Sequence, residues 1–317
     1  MQPSLHALLE DAIDYAGTFP PAQLSLEQAV RNYARYQKDS AQWLLGRFIY
    51  PAAQLHELDA YSNYLQTDCP FAISTVGRSG AEEAAWLAGI RADVEAVEAF
   101  QQRQRHRVVI NVYETKLPPR PAPTSSWKEF LLQGWRRLEP WTDGVMPFFE
   151  YGLEGEYRSS LPPLLAALAE TATVVGQPLG FKLRCGGLDA KAFPSIEAVA
   201  FVLGACRDAG VPLKCTAGLH HPLRRFDTGL GTFMHGFVNV LLAGVLAQAR
   251  QLDEESLRAV LAEEAGERFV FTAAGCRWRE LEVSTDEIRR ARQTGVISFG
   301  SCSFEEPRDD LRALGWL

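Results

Sequence analysis

The sequence predicts an α/β protein built as a (β/α)8 barrel of the TIM type, with a doubly wound open parallel sheet as the alternative. Short runs of β-branched and aromatic residues alternate along the chain with alanine- and leucine-rich amphipathic stretches, a pattern typical of βα units and a mainly parallel sheet. Eight such β-like runs fit within about 260 residues, which is the usual size of the barrel.

The strands and helices can be placed in chain order. We expect strands at 46–50, 71–76, 93–98, 107–115, 145–151, 179–185, 211–217 and 296–303. We expect helices at 54–65, 80–90, 127–138, 161–171, 195–209 and 284–294. Ser195 suits a helix start and Gly210 a helix end. Too few residues separate the run 93–98 from the next strand for a helix between them. For this reason the open parallel sheet is retained as the alternative fold.

Three segments fall outside the regular alternation. The first 43 residues, which contain DYAGTFPPA, are interpreted as an N-terminal arm that packs on the barrel, and residues 44–317 as the barrel domain. The proline-rich segment 117–126 predicts an exposed loop. The pattern of residues 233–265 predicts two helices, and the run FVFTAAGCRWRE that follows predicts a β-hairpin.

Composition excludes several classes of protein. The chain has 317 residues with a formal net charge of -7, so it lacks the basic excess of a nucleic-acid binder. It shows neither a secretory leader nor an apolar run of about 20 residues that could cross a membrane. Its six cysteines lack C-x-x-C spacing and predict reduced thiols. We therefore expect a cytoplasmic protein without nucleic-acid or membrane partners, and homo-oligomerisation stays open.

The strand FKLRCGG carries charge where a barrel strand should be buried. Lys182 and Arg184 share one face, because side chains alternate along a strand. Such cations must meet carboxylates, anionic ligands or water. Gly186 and Gly187 follow where the strand becomes a loop, which is where barrel enzymes bind substrate. We expect these four residues to contact an anionic substrate or to take part in its chemistry.

The next strand, VPLKCTAGLHHP, repeats the pattern. Lys214, Thr216 and Gly218 share a face, and His220 continues it as the strand ends. If the two strands pair in parallel, Lys182 and Lys214 become neighbours inside the barrel. Two close ammonium groups lower each other's pKa, so either lysine could then act as a general base or a Schiff-base nucleophile.

Other candidates lie near the same strand ends. Glu150, in MPFFEYG, is positioned to neutralise a lysine or to shuttle protons. We expect His220 to be an acid/base group or an anion donor, His221 to stabilise the loop, and Arg224 to hold a carboxylate or phosphate. In the last strand, VISFGSCSFEEP, backbone N–H groups around Ser301 could hold an anion. Cys302 offers a thiol nucleophile, although a buried free cysteine usually behaves as a small apolar side chain.

Several motifs resemble those of an uncharacterised family of bacterial proteins. They are DYAGTFPPA, KLRCGG, KCTAGLHHPLR, HGFVNV and FGSCSFEEP, and the resemblance spans nearly the whole chain without implying an activity. In architecture, the paired lysines resemble class I aldolases of the deoxyribose-phosphate type. That resemblance implies that Lys214 forms the imine and that Lys182 tunes its pKa. The residues around the lysines depart from the aldolase pattern.

Three functions are compatible with these residues. The first is an aldolase-like lyase or an isomerase that acts on a small anionic carbonyl or phosphorylated metabolite through a lysine, without a cofactor. The second is an enzyme that depends on a divalent metal held by Glu150, His220 and His235. The third is a barrel that binds an anionic metabolite without catalysis. The sequence has no P-loop, G-x-G-x-x-G, G-x-S-x-G or H-E-x-x-H signature.

Overall fold

Eight parallel strands close into a barrel in this computed structural model, which describes residues 1–65, 69–119, 126–141 and 144–317. Each strand pairs with its neighbours in chain order, and the last strand pairs with the first. The predicted TIM-like barrel is confirmed, and the open sheet is wrong. The strands are β1 Ile13–Tyr15, β2 Leu45–Pro51, β3 Phe71–Val76, β4 Val108–Lys116, β5 Met146–Glu150, β6 Gly180–Arg184, β7 Leu213–Thr216 and β8 Val296–Ser301.

Helices surround the barrel and connect its strands. Within the described ranges they are α1 Pro3–Leu9, α2 Leu26–Tyr36, α3 Glu83–Gln104, α4 Trp127–Leu138, α5 Tyr157–Val175, α6 Ile196–Ala209, α7 Phe237–Arg250, α8 Glu254–Leu261, α9 Thr285–Thr294 and α10 Glu305–Ala313. The start and end of α6 follow the predicted signals. The Ser195 hydroxyl accepts a hydrogen bond from the Ala198 backbone N–H at 3.2 Å, and Gly210 ends the helix with φ at 65°.

Two predicted segments differ in the structure. Residues 93–98 continue α3 instead of forming a strand, because Val94 and Val97 belong to a helical stripe that faces the core. The missing strand is Ile13–Tyr15, within the predicted N-terminal arm. The barrel domain therefore includes residues that the sequence analysis assigned to an arm covering 1–43. A 3-10 helix, Ala52–Tyr61, replaces the α-helix predicted at 54–65.

Two small antiparallel sheets stand outside the barrel. Arg225–Asp227 pairs with Thr232–Met234 between β7 and α7, at the carboxyl end of the barrel. Phe269–Phe271, Gly275–Trp278 and Leu281–Ser284 form a three-stranded sheet, which confirms the predicted hairpin. Most of the predicted proline-rich loop, residues 120–125, lies outside the described residues.

Alternation along the strands separates an apolar outer layer from an interior that carries charged side chains near the carboxyl ends of the strands. Phe149, Phe181 and Leu183 are fully buried in the core that joins the barrel to its helices. The residues between them, Glu150 and Lys182, point into the barrel, as predicted. All six cysteines are free thiols. Across the described ranges, no helix combines the length and apolar character needed to span a bilayer.

Candidate active site

A cavity of about 1150 Å³ opens at the carboxyl end of the barrel strands. Its floor and walls come from the last residues of the strands and from the loops that follow them. The loop after β1 contributes Phe19, Pro20 and Pro21, and the 225–234 hairpin contributes Leu230 and Met234. The cavity therefore lies at the end where barrel enzymes carry out their chemistry.

Lys182 contributes its ammonium group to this cavity between two carboxylates. Its Nζ lies 2.8 Å from Glu114 Oε2 and 3.0 Å from Glu150 Oε2. The Lys182 residue is 6% exposed, and it lines the cavity together with both glutamates. An ammonium buried this deeply is tolerated because two carboxylates pair with it at short distance.

Lys214 occupies the paired position on the next strand but has no access to solvent. Lys182 and Lys214 are register partners across β6 and β7, which confirms that the two lysines are neighbours. The Lys214 ammonium pairs closely with the Asp14 carboxylate, lies 3.3 Å from Glu114 Oε1 and donates to Ser298 Oγ at 3.2 Å. Its side chain is 0% exposed and does not line the cavity.

Glu114 connects the two lysines into one network. It contacts Lys182 through Oε2 and Lys214 through Oε1, and Oε1 also accepts a hydrogen bond from the Ser74 hydroxyl at 2.6 Å. Burial would raise the pKa of Glu114, but Lys182 and Lys214 outweigh burial and lower it to about 2. The carboxylate is therefore ionised at neutral pH and balances charge from both lysines.

The expectation that the lysines depress each other's pKa is wrong for Lys182. Burial alone would lower its pKa, but Glu114 and Glu150 outweigh burial and raise it. The sequence argument counted only the neighbouring cation and left out Glu114. With that carboxylate between the two ammonium groups, attraction exceeds repulsion.

Two further cations reach the cavity nearer its mouth. Arg184 Nε donates to Glu150 Oε1 at 3.3 Å, and its side chain is 53% exposed. Lys116, at the end of β4, is exposed and lines the same cavity. Both cations are hydrated when no ligand is bound, and their exposure allows them to contact a ligand that enters the cavity.

The two histidines after β7 face the last helix. His220 Nδ1 lies 3.0 Å from Glu306 Oε2, and His221 Nδ1 lies 2.6 Å from Asp310 Oδ2. Burial would lower the pKa of His220, but hydrogen bonds with Cys302 and Glu306 outweigh burial and raise it to about 9. His220 is therefore protonated at neutral pH.

Most of the predicted site residues meet in this cavity. Those that line it are Glu150, Lys182, Arg184, Gly186, Gly187, Thr216, His220 and His221. Arg224 does not line it, because its guanidinium pairs with Glu264 and lies 3.6 Å from the centre of the Phe233 ring. Ser301 is also elsewhere: it is buried in the strand wall, where its hydroxyl accepts from the Ser303 N–H at 3.3 Å.

The metal set suggested by the sequence does not assemble. His235 is buried outside the cavity lining, with Nε2 at 2.8 Å from the Pro194 carbonyl oxygen, whereas Glu150 and His220 face the cavity. Within the part of the chain that the structure describes, no group of three or more histidine, cysteine or acidic side chains is arranged to hold a metal ion.

Sequence reasoning missed Asp14, Glu114, Lys116 and Glu306. Glu114 and Lys116 alternate at the end of a buried strand, which is the same signal that identified Glu150, so both could have been found. Asp14 lies in a strand of three residues, too short to show periodicity. Glu306 reaches the cavity only because α10 folds back towards the β7 loop.

The fold and the site together define a TIM-like barrel with a charged cavity at the carboxyl end of its strands. Comparison with known proteins adds no family to this description. No family model matches the chain, and no curated protein is significantly similar to it. The resemblance to a bacterial family and the analogy to class I aldolases thus stay predictions. Any assignment of function must come from the geometry of the cavity.

Proposed function

We propose that this barrel is an enzyme that acts on a small anionic carbonyl or phosphorylated metabolite, by lysine-based lyase or isomerase chemistry, with Lys182 as the reactive amine. The observation that supports it is the position of the Lys182 ammonium at the base of the cavity, 2.8 Å from Glu114 and 3.0 Å from Glu150. Lys214, which the aldolase resemblance assigns as the nucleophile, is sealed from the cavity and serves as a partner of Glu114.

The two carboxylates suit imine chemistry because they stabilise a cation at this point. Before attack, the Lys182 ammonium must lose a proton, and Glu150, 3.0 Å away and more exposed than Glu114, can accept it. The amine then bonds to the carbonyl carbon, and the carbonyl oxygen leaves as water. The resulting protonated imine carries the same charge as the ammonium it replaces, so Glu114 and Glu150 stabilise it as they stabilised the lysine. The imine draws electrons from the adjacent carbon–carbon or carbon–hydrogen bond, which breaks and leaves an enamine. The enamine carbon then takes up a proton, and water hydrolyses the imine to release the product and free Lys182.

Cationic side chains near the mouth of the cavity are positioned to bind an anion. Arg184 and Lys116 place two exposed cations beside the reactive amine, and both can bind a carboxylate or a phosphate. Gly186 and Gly187, in the loop that follows β6, also line the cavity. Their lack of side chains makes room for Phe193 and Ala192, which lie within 2.6 Å of where their Cβ atoms would be. His220 lies on the same cavity and can supply a proton to a leaving oxygen.

Reductive trapping tests the assignment of Lys182. The protein is incubated with borohydride and, one at a time, with short aldehydes, keto acids and phosphorylated ketoses, and peptide mass spectrometry locates any secondary amine. We expect an adduct on Lys182 and none on Lys214. Lys116 is the matched control because it lines the same cavity without being held between two carboxylates. Lys182→Met should abolish trapping of every carbonyl compound, whereas Lys116→Met should retain trapping of short uncharged aldehydes, which do not need the Lys116 charge.

The same experiment separates this function from its alternatives. An adduct that appears on Lys116 or on surface lysines, and not on Lys182, would contradict the proposal. If no carbonyl compound is trapped although phosphorylated sugars or keto acids raise the melting temperature, the barrel binds an anionic metabolite without imine chemistry. Loss of activity or of melting temperature on treatment with a chelator, restored by a divalent metal, would favour the metal-dependent reaction instead.

A further inference from the structure

A second cluster of reactive side chains lines the same cavity, and the imine chemistry of Lys182 does not use its thiol. It consists of Cys302, His220 and Glu306. The barrel brings them together because β7 and β8 are paired, with Thr216 opposite Gly300. His220 follows the end of β7, Cys302 follows the end of β8, and Glu306 lies in the first turn of α10.

The imidazole of His220 connects the thiol to the carboxylate. Its Nδ1 lies 3.0 Å from Glu306 Oε2, and its ring also interacts with the Cys302 thiol. The His220 side chain is 14% exposed, and Cys302 is half-buried on the cavity wall. An imidazole that contacts both a carboxylate and a thiol is the kind of group that orients and activates a catalytic cysteine.

Positive charge lies close to Cys302 on the cavity wall. Contacts with Cys302 and Glu306 outweigh burial and raise the pKa of His220 to about 9, so the imidazole carries a positive charge at neutral pH. Cys302 also comes shortly before the first turn of α10, where the partial positive charge of a helix start adds to the effect. The other cysteines differ: four of them, Cys185, Cys206, Cys215 and Cys276, are buried, and Cys69 is exposed.

We propose that Cys302 is a second catalytic nucleophile, activated by His220 and oriented through Glu306, and that it accepts an acyl group from an ester or thioester bound in the cavity. The Cys302 sulfur bonds to the acyl carbon, the carbon–oxygen or carbon–sulfur bond of the substrate breaks, and His220 protonates the departing oxygen or sulfur. Water, deprotonated by His220, then attacks the acyl-thioester and releases a carboxylic acid and the free thiol. The step needs no oxidant, reductant or metal.

Site-resolved alkylation tests the activation of Cys302. The reduced protein is treated with iodoacetamide at neutral pH, and the rate at each cysteine is measured by peptide mass spectrometry. Exposed Cys69 is the internal standard for an unactivated thiol. We expect Cys302 to react about tenfold faster than Cys69, because the His220 imidazole and the start of α10 lie beside its sulfur. His220→Asn should reduce the Cys302 rate to that of Cys69, and Glu306→Gln should reduce it less.

Acyl transfer itself is tested with p-nitrophenyl acetate. We expect a burst of p-nitrophenol, about one per chain, with an acetyl group on the peptide that contains Cys302. Cys302→Ser should lose both, and Cys69→Ser should keep both. The proposal is overturned if Cys302 alkylates no faster than Cys69, if His220→Asn leaves its rate unchanged, or if no acetyl group is found on Cys302. None of these results depends on an adduct at Lys182.

Discussion

Lys182 and Lys214 occupy paired positions on neighbouring strands, but they lie in two different regions of the barrel interior. Around Lys214, the contacts with Asp14, Glu114 and Ser298 are complete and closed to solvent. Around Lys182, the same kind of ion pairing borders a cavity of about 1150 Å³. One residue type at one register therefore forms a structural ion pair in the first region and a candidate reactive amine in the second.

The difference shows that two lysines of one ion-pair network can differ in their access to solvent. A fully enclosed charge cannot reach a substrate, and the Lys214 ammonium is paired instead with Asp14 and Glu114. An amine at the edge of the network keeps the stabilising carboxylates and can still meet a ligand. This arrangement fixes the position of Glu114, which in turn fixes the ammonium of Lys182.

Removing the enclosed lysine should have the largest effect on stability. Lys214→Met leaves the buried carboxylates of Asp14 and Glu114 without their shared cation, which costs about 3–5 kcal/mol. The measurement is the free energy of unfolding in urea. Lys38→Met, at an exposed lysine, is the control and should change stability by less than about 0.5 kcal/mol.

A double variant shows whether the cost comes from unpaired charge. Asp14→Asn combined with Lys214→Met removes one carboxylate together with its cation. The double variant should therefore be destabilised by less than the sum of the two single changes. A cost below about 1 kcal/mol for Lys214→Met alone would mean that the network around it contributes little to the fold.

The dependence of stability on acid pH should differ between the buried network around Glu114 and an ion pair on the surface. The pKa of Glu114 falls from 4.5 when unfolded to about 2 when folded, so its contribution to stability is present above pH 4.5 and is lost as the pH falls towards 2. That shift corresponds to about 3 kcal/mol. The check is the difference in unfolding free energy between the wild type and Glu114→Gln, which should shrink across this range of pH.

Glu287 is the matched control for the acid experiment. Its pKa is also about 2, but the hydrogen bond from Arg250 that lowers it lies on the surface. Salt should weaken the contribution of Glu287 and leave that of Glu114 nearly unchanged, because buried charges are screened far less. Equal sensitivity to salt at both positions would argue that the barrel interior is open to water.

Much of the fold was predictable from the sequence, because seven of the eight barrel strands are long enough to show their pattern. The strand around Asp14 was not, since three residues cannot show an alternation. The inward faces of Lys182 and Lys214 followed from strand alternation alone. Which of them opens to solvent did not follow, because access depends on how loops from distant parts of the chain meet above the strands.

The sequence analysis proposed two arginines for anion binding. Comparing variants at these two positions tests whether exposure to the cavity decides which cation binds a ligand. Arg184 lines the cavity with a side chain 53% exposed, whereas Arg224 pairs with Glu264 away from it. Arg184→Gln should change stability by only about 0–1 kcal/mol, because its ion pair is screened by water. It should, however, weaken the binding of the phosphorylated sugar or keto acid that most stabilises the wild type by about tenfold, as loss of one charged hydrogen bond implies. Arg224→Gln should leave that affinity, measured by calorimetric titration, unchanged. The opposite ranking of the two variants would place the anion site outside the cavity and separate it from Lys182.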